Sequence, residues 1–332
     1  MSIRSIRPPR GARRAALVAL LVGTMVGAAP CARAQGYPSK PIRFVVPSPP
    51  GGGTDTLTRL LSNTMGESLR WEWIVDNRPG AGGNLGLDAA AKSPPDGYTI
   101  VMGESANLTI NPYLYKRLPL DPVKDLAPVA LVGTVPLVLV VSATRPFETM
   151  DKLMAAARQK PLLFASSGNG TVGHLTGEIW KRSAGIELVH VPYKGAGPVI
   201  TDLIGGQVDL HFASLPAAVP HLKSGKLRAL GVSAALRVSS LPDVPTLTEL
   251  GHRGMEHHVL YGVMAPAATP RDVLAKLNQE INRALGSTQF KARADELGLQ
   301  VRGGSAEQFA VFLESERSKW ARAVKESGAT VD

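Results

Sequence analysis

Short apolar strands alternate with glycine-rich loops and amphipathic helices, and this alternation constrains the fold of the chain more than any other feature. Residues 41–47 are rich in β-branched residues and bounded by prolines, which predicts a strand, and residues 48–53 form a glycine loop. Apolar residues at helical spacing predict a helix over 54–65. The same order recurs at residues 73–91, and residues 98–102 predict a third strand. Strands that alternate with helices favour a parallel α/β sheet.

A second β/α series begins near residue 147, after a long β-rich stretch at residues 126–141. That stretch is interrupted by Pro136, which suits a chain that leaves one sheet and enters another. From residue 270 onward the apolar residues fall at helical steps. No new sheet is expected after residues 261–264, so the final helices are predicted to return to the first part of the protein.

These two series predict a two-lobed α/β fold. Residues 35–140 and 259–332 are assigned to the first lobe, and residues 141–258 to the second. The chain would cross between the lobes twice, so that two strands form a hinge. Ligands bind preferentially in clefts at such interfaces.

Positive charge is concentrated in an N-terminal tail. The net charge is +10, but six of the 37 basic residues and none of the 27 acidic ones lie in residues 1–34. Arginines, an apolar stretch at 15–29 and the run Ala-Arg-Ala at 32–34 predict a secretory signal peptide over residues 1–34 and export to the periplasm. Cleavage there would remove Cys31, the one cysteine, and would leave no disulfide or thiol nucleophile.

The motifs that mark enzymes are incomplete. Residues 168–173 match G-x-G-x-x-G, but no acidic residue ends the next predicted strand to hold a ribose. Residues 49–55 lack the Lys-Ser/Thr of a P-loop, and Ser105 lacks the final glycine of a nucleophile elbow. The seven histidines show no metal-ligand spacing. The sequence therefore predicts neither an enzyme nor a cofactor or metal.

Two of the glycine loops nevertheless suit anion binding. Backbone N–H groups at a helix N-terminus attract anions, and the loops at 49–55 and 168–171 each lead into a predicted helix. Asp55 is consistent either with a helix cap or with a pocket residue that binds an ammonium group. The basic residues are dispersed and aromatic residues make up only 5%, so no nucleic acid partner is expected.

Twelve short runs occur in an order that is specific to one protein family, among them Pro-Ser-Pro-Pro-Gly-Gly-Gly-Thr-Asp at 47–55 and Val-Pro-Tyr-Lys-Gly at 191–195. The others lie at 37–43, 75–84, 94–98, 111–112, 120–126, 168–174, 205–209, 225–230, 245–249 and 265–270. Through these runs the chain after the tail resembles, over nearly its whole length, the substrate-binding receptors of tripartite tricarboxylate transporters, the Bug family.

The resemblance implies a type II periplasmic-binding-protein (Venus flytrap) fold. Such a receptor would be a monomer that closes on a small organic acid or related metabolite and delivers it to a membrane permease of the same transporter family. Backbone groups and ordered water from loops of both lobes would hold the ligand carboxylate. The substrate-binding residues implied in the first lobe are Ser48, Pro49, Gly51, Gly52, Gly53, Thr54, Asp55, Glu104 and Ser105. Those implied in the second are Ser167, Asn169, Gly170, Thr171, Tyr193, Asp209 and Ser214.

Glu104 departs from the family pattern, because relatives commonly carry a small hydroxyl residue after the third strand. If Glu104 lines the pocket, it would repel a second carboxylate, and the hypothesis is then an amide, an amine-bearing acid or an aromatic acid as ligand. Two alternatives stay open at this point. One is an exported hydrolase or nucleotide-dependent enzyme that uses the same cleft, and the other is a ligand sensor for a membrane kinase.

Overall fold

The computed structural model describes residues 36–329 and residue 331. The predicted signal peptide, residues 1–34, lies outside the described residues. Within the part that is described, no helix is long and apolar enough to cross a membrane. The chain from Lys40 onward forms one compact unit, and the description below refers to that unit.

The first three strands of the first β/α series are parallel, as the alternation predicts. In chain order it contains β1 (Ile42–Val46), α1 (Gly53–Leu69), β2 (Trp73–Asn77), a 3₁₀ turn (Ala81–Gly83), α2 (Asn84–Ala91), β3 (Thr99–Glu104), a π-helical turn (Ala106–Ile110), α3 (Asn111–Leu114) and β4 (Leu126–Ser142). Strand β1 pairs in parallel with both β2 and β3. In α1 the buried side chains Leu57, Leu61 and Met65 repeat at four-residue steps, which places one apolar face of the helix inside.

The second series repeats this arrangement. It contains α4 (Met150–Gln159), β5 (Leu162–Ser166), α5 (Val172–Ala184), β6 (Leu188–Pro192), α6 (Ala196–Ile204), β7 (Leu210–Ser214), α7 (Leu215–Lys223) and β8 (Leu227–Val232). Strand β5 pairs in parallel with β6 and β7. The chain ends with β9 (His258–Pro266), α8 (Arg271–Gly286), α9 (Thr288–Glu296), β10 (Gln300–Val301) and α10 (Ala306–Ser327).

Strand β4 joins the two series into one curled sheet of order β2-β1-β3-β9-β4-β7-β5-β6. Up to Pro136 it pairs antiparallel with β9, and from Leu137 onward with β7. Pro136 therefore marks the change of partner, although the strand continues through it. We call β1, β2, β3, β9, β10 and the beginning of β4 the first half of the sheet. The second half comprises β5 to β8 and the end of β4.

Each half has its own apolar core. Val45, Leu87 and Leu260 belong to the cluster in the first half, and Val140 and Leu203 to the cluster in the second. Removing a buried leucine from such a core typically costs about 2–5 kcal/mol. The α/β two-lobed fold class is confirmed, whereas the lobe boundaries at residues 140 and 258 stay a prediction.

The end of the chain agrees with the helix prediction but contains one additional strand. Helix α8 packs against α1 and β4, and α10 packs against the π-helical turn and β4. Strand β10 pairs with β4, so it adds to the existing sheet and does not start a new one. Two residues are too few to show a strand period in the sequence.

Candidate functional site

A cavity of about 700 Å³ lies where the strands of both halves end. Loops after β1, β2 and β5 line it, together with the loop after β6 and residues at the ends of β3 and β7. Ligands of α/β proteins bind outside the carboxyl ends of the strands, and the volume is typical of a site for a small molecule.

Three helix N-termini border this cavity. Helix α1 begins after Gly52 and α6 after Gly195, and no side chain caps the first turn of either helix. Helix α5 begins after Thr171, whose hydroxyl oxygen accepts a hydrogen bond from the backbone N–H of His174. Because the first N–H groups of a helix have no partner within the helix, these three ends provide donors and a partial positive charge for an anion.

Two glycines allow the loops of the two halves to approach each other. A Cβ on Gly53 would lie 2.6 Å from the hydroxyl oxygen of Tyr261 and 2.7 Å from that of Ser214. Gly195 has a φ of +111°, and a Cβ there would lie 2.6 Å from Cγ of Pro49. Both positions exclude any side chain at the present loop separation.

Glu104 is half-buried at the end of β3 and lines the cavity. The Thr54 hydroxyl donates to its Oε2 at 2.9 Å, and the backbone N–H of Glu104 donates to Oδ1 of Asn107 at 3.0 Å. Burial raises the pKa of Glu104, and the hydrogen bond from Thr54 opposes that rise. Burial also raises the pKa of the neighbouring Tyr261 phenol, whose hydroxyl interacts with Ser214 and Thr54 and stays protonated.

His211 on β7 is buried and also lines the cavity. Its Nδ1 lies 2.9 Å from the carbonyl oxygen of Ala165, so Nδ1 carries the proton and donates it. Burial lowers the pKa of His211 to about 4, so the ring is neutral at pH 7. The Nε2 atom is left as a buried acceptor without a hydrogen-bond partner among the described residues.

A stacked pair of histidines supports the loop after β5. The rings of His174 and His190 are 4.0 Å apart between centroids. Gly170 donates its backbone N–H to Nδ1 of His174 at 3.2 Å, and Ser166 Oγ lies 2.6 Å from Nε2 of His190. Burial lowers the pKa of His174 to about 4 and that of His190 to about 3. Two neutral rings can stack in contact, so this pair holds the loop at neutral pH.

The structure brings eleven of the sixteen predicted site residues to the cavity. They are Ser48, Pro49, Gly52, Gly53, Thr54, Glu104, Ser167, Asn169, Thr171, Tyr193 and Ser214. These residues come from loops of both halves, as the resemblance implied. Their contact with a ligand stays a prediction.

The other five predicted residues do not line the cavity, because they bind elsewhere in the protein. Ser105 is buried and accepts the backbone N–H of Leu260 at 2.9 Å. Asp209 is ion-paired with Arg145 and accepts the backbone N–H of Leu163 at 2.8 Å.

Gly51 and Gly170 belong to the cavity loops but face away from the cavity. Gly51 donates its backbone N–H to Oδ2 of Asp55 at 3.0 Å. Gly170 packs against Asn111 and Leu114, and its backbone N–H donates a hydrogen bond to Nδ1 of His174.

Asp55 acts as an internal support of the first glycine loop. Besides Gly51, its carboxylate accepts hydrogen bonds from Arg59 and from the side-chain amide of Asn77, each at 3.0 Å. Burial opposes its ionisation, but the hydrogen bonds from Arg59, Gly51 and Asn77 outweigh burial and lower the pKa of Asp55. The carboxylate is therefore satisfied within the protein and does not line the cavity, which favours the support role over the pocket interpretation.

Some residues that line the cavity were not predicted from the sequence. The missed lining residues with polar groups or close backbone are Gly80, Gly82, Gly83, Tyr115, Lys194, Gly195, His211 and Tyr261. The glycine run at 80–83 was visible as a loop after a strand and could have been included on that ground. Tyr261 and His211 lie on strands, where no local pattern separates a cavity residue from a core residue.

The loop at 80–83 is held by an asparagine from a distant part of the chain. The side-chain amide of Asn111 donates to the carbonyl oxygen of Gly82 at 3.1 Å and to Oδ1 of Asn84 at 2.8 Å. A Cβ on Gly82 would lie 2.9 Å from Nδ2 of Asn111, so the glycine permits this contact.

Comparisons with known proteins are consistent with this geometry. The family model TctC, described as the tripartite tricarboxylate transporter family receptor, matches residues 57–329. Protein BugT of Bordetella pertussis is 37% identical over 320 residues, which cover 96% of this chain and 98% of BugT.

Two solved structures from Rhodopseudomonas palustris are similar over most of the chain. R. palustris Rpa4515 with adipate is 34% identical with a TM-score of 0.86, and the match covers 89% of this chain and 99% of that one. MatC with bound malate is 31% identical with a TM-score of 0.80, and the match covers 87% of this chain and all of that one (100%). Both neighbours are described with a dicarboxylate.

Proposed function

This chain belongs to the receptor family of tripartite tricarboxylate transporters, and on that premise we propose that it is a periplasmic solute-binding receptor. It captures a small carboxylate between two lobes and delivers it to a tripartite tricarboxylate-type membrane permease. The protein acts by binding and release, as a monomer, and transforms nothing.

The observation that carries this proposal is the convergence of three helix N-termini on one cavity. Gly52, Thr171 and Gly195 come from both halves, so a ligand bound there would contact both sides of the cavity. Neutral donors that are fixed in position bind a carboxylate without any proton transfer. The family ligands adipate and malate, bound in the two neighbours, are acids of suitable size.

The surroundings of Ser105 argue against the hydrolase alternative. Its hydroxyl oxygen is buried, accepts a backbone N–H from β9 and does not line the cavity. A serine nucleophile needs contact with its substrate and an activating base within hydrogen-bond reach.

The first experiment is native purification of the mature protein followed by identification of any small molecule that is released. Thermal unfolding is then measured with adipate, malate, succinate and aromatic carboxylates. A ligand at a hundred times its Kd adds about 2.7 kcal/mol to the free energy of unfolding, so a true ligand raises Tm. The same acid must be recovered unchanged after incubation. An acid that is consumed would support the enzyme alternative, and a Tm that no acid raises would refute the receptor.

Delivery is tested separately in the source organism. Deletion of the gene should abolish uptake of the identified radiolabelled acid, and re-expression should restore it. Uptake that continues at the normal rate without the protein would contradict delivery while leaving binding intact.

A further inference from the structure

Glu104 is the one acidic side chain among the described residues that line the cavity, and Lys194 is the one lysine or arginine. Lys194 is exposed and directly precedes Gly195, the residue after which α6 begins. Neither residue forms an ion pair within the described part of the chain. The cavity therefore contains one carboxyl group and one ammonium group, neither of which has an ion-pair partner among the described residues.

The carboxyl group of Glu104 keeps capacity for another donor. Its Oε2 accepts a hydrogen bond from the hydroxyl of Thr54, whereas Oε1 has no hydrogen-bond partner among the residues described. A half-buried carboxylate is stabilised by a nearby positive charge or by N–H donors. A ligand in this cavity can supply such a group.

Glu104 also changes which helix end can bind an anion. Thr54 belongs to the first turn of α1, so the carboxylate of Glu104 already lies beside the positive end of that helix. A ligand carboxylate placed there would be repelled by Glu104. The N-terminus of α6, next to Lys194, keeps its full attraction for an anion.

His211 lines the same cavity and has a buried acceptor atom. Because Nδ1 donates to the carbonyl of Ala165, the unpartnered Nε2 can only accept a hydrogen bond from a neutral ring. An apolar or anionic group cannot satisfy such an atom, whereas an N–H group can.

We propose, on the basis of the proposed function, that the ligand is a carboxylic acid that also carries an N–H donor nitrogen, and that Glu104 binds this nitrogen. The carboxylate end binds at the N-terminus of α6 beside Lys194, and the nitrogen lies at the end of β3. The ligand thus differs from the dicarboxylates of the two neighbours at one end only.

Ligands of matched length test whether one end of the ligand is a carboxylate and the other an N–H donor. The panel consists of succinate, glutarate and adipate, each with its monoamide and with the ω-amino acid that has the same number of methylene groups. Affinities are measured by calorimetry for the wild type, for Glu104→Gln and for Glu148→Gln, an exposed glutamate away from the cavity. In the wild type, one N–H-bearing acid should bind about tenfold or more tightly than its dicarboxylate match.

The substitutions assign the preference to Glu104. Glu104→Gln should weaken the ω-amino acid about tenfold and strengthen the dicarboxylate, because it removes the charge at nearly constant size. Glu148→Gln should leave all affinities unchanged. Melting curves establish that the variant is folded, and Glu104→Thr replaces it if the glutamine variant does not fold.

The contradicting outcomes are distinct from one another. A dicarboxylate that binds the wild type as tightly as its N–H matches would overturn the inference and leave the receptor function standing. A preference that persists in Glu104→Gln would overturn the role of Glu104. Proton uptake on dicarboxylate binding, measured in buffers of different ionisation enthalpy, would show a neutral Glu104 that donates to the ligand and would also overturn it. If no acid of any kind binds, the proposed function itself fails.

Discussion

Asp55 and Glu104 lie near the carboxyl ends of parallel strands, but different numbers of donors reach them. Asp55 accepts hydrogen bonds from Gly51, Arg59 and Asn77, so its charge is satisfied within the protein. Glu104 accepts one, from Thr54. At the residue scale, a carboxylate with a full set of donors stabilises a loop, and one with an incomplete set is left for a ligand.

Asp55→Asn should lower the free energy of unfolding by about 2 kcal/mol, because hydrogen bonds to a buried charged acceptor are lost. The lowered pKa of Asp55 adds stability above the pKa of an unfolded aspartate, and this stability is lost as the pH falls through the folded value. Urea unfolding at pH 7 measures the effect, with the exposed Asp243→Asn as the matched control. Equal midpoints for the two variants would contradict the support role of Asp55.

The buried histidines predict an acid-sensitive fold. Burial lowers the pKa of His174, His211 and His257 to about 4, while an unfolded histidine titrates near 6.5. Between these two pKa values the unfolded chain therefore binds more protons than the folded protein. The free energy of unfolding has its full value above pH 6.5 and falls as the pH drops toward 4.

His257→Asn isolates one of these contributions. His257 is bonded to Thr176, with 3.0 Å between Nδ1 and the hydroxyl oxygen, and it lies beside Trp320. The variant should be less stable at pH 7, and its stability should depend on pH between 4 and 6.5 with a slope smaller by about one proton. Denaturant unfolding at several pH values measures the slope. An unchanged slope would mean that His257 is protonated in the folded protein.

At the scale of elements, the site is built from strand ends and helix beginnings that close turns connect. The loop after β6 contacts the loop after β1 through Gly195 and Pro49, and α1 begins against β7 through Gly53 and Ser214. Each contact joins elements of different halves. The spacing between the halves therefore depends on positions where a side chain is absent.

Gly195→Ala should weaken ligand binding about tenfold or more, because the added Cβ would meet Pro49 and hold the two loops apart. Gly206→Ala is the matched control, since Gly206 also has a positive φ (+73°) but nothing within 4 Å of the added Cβ. Both variants should lose roughly 1–3 kcal/mol of stability from backbone strain. Calorimetry separates the effects, and equal ligand affinities in the two variants would refute closure at this contact.

At the scale of the whole molecule, one sheet carries two cores, and β4 belongs to both halves. Such an arrangement permits rotation of one core against the other about the connecting strands. A ligand that contacts loops of both halves would stabilise the closed arrangement by the difference in its affinity for the two states.

A disulfide across the cavity tests this closure. A Cβ on Gly52 would lie 3.8 Å from Cβ of Ala196, which is the separation found in disulfides. The double variant Gly52→Cys/Ala196→Cys should crosslink on oxidation, faster with ligand present, and should then release the ligand more slowly. Mass spectrometry detects the crosslink, and the single variants control for other thiol chemistry. If the crosslink forms equally fast with and without ligand, ligand-driven closure is contradicted.

The sequence by itself determined the alternation of strands and helices in the two series, the parallel pairing of β1 with β2 and β3 and of β5 with β6 and β7, and the glycine loops at helix N-termini. These features depend on local periodicity and on turn chemistry, which neighbouring residues specify. Tertiary structure alone decided which polar residues face the cavity. The hydroxyl oxygen of Ser105 accepts a hydrogen bond from the backbone of Leu260, 155 positions away. The carboxylate of Asp209 forms an ion pair with Arg145. Tyr261 reaches the cavity because β9 pairs with β3. A side chain's role follows from which distant groups satisfy its hydrogen bonds, and folding is what assembles those groups.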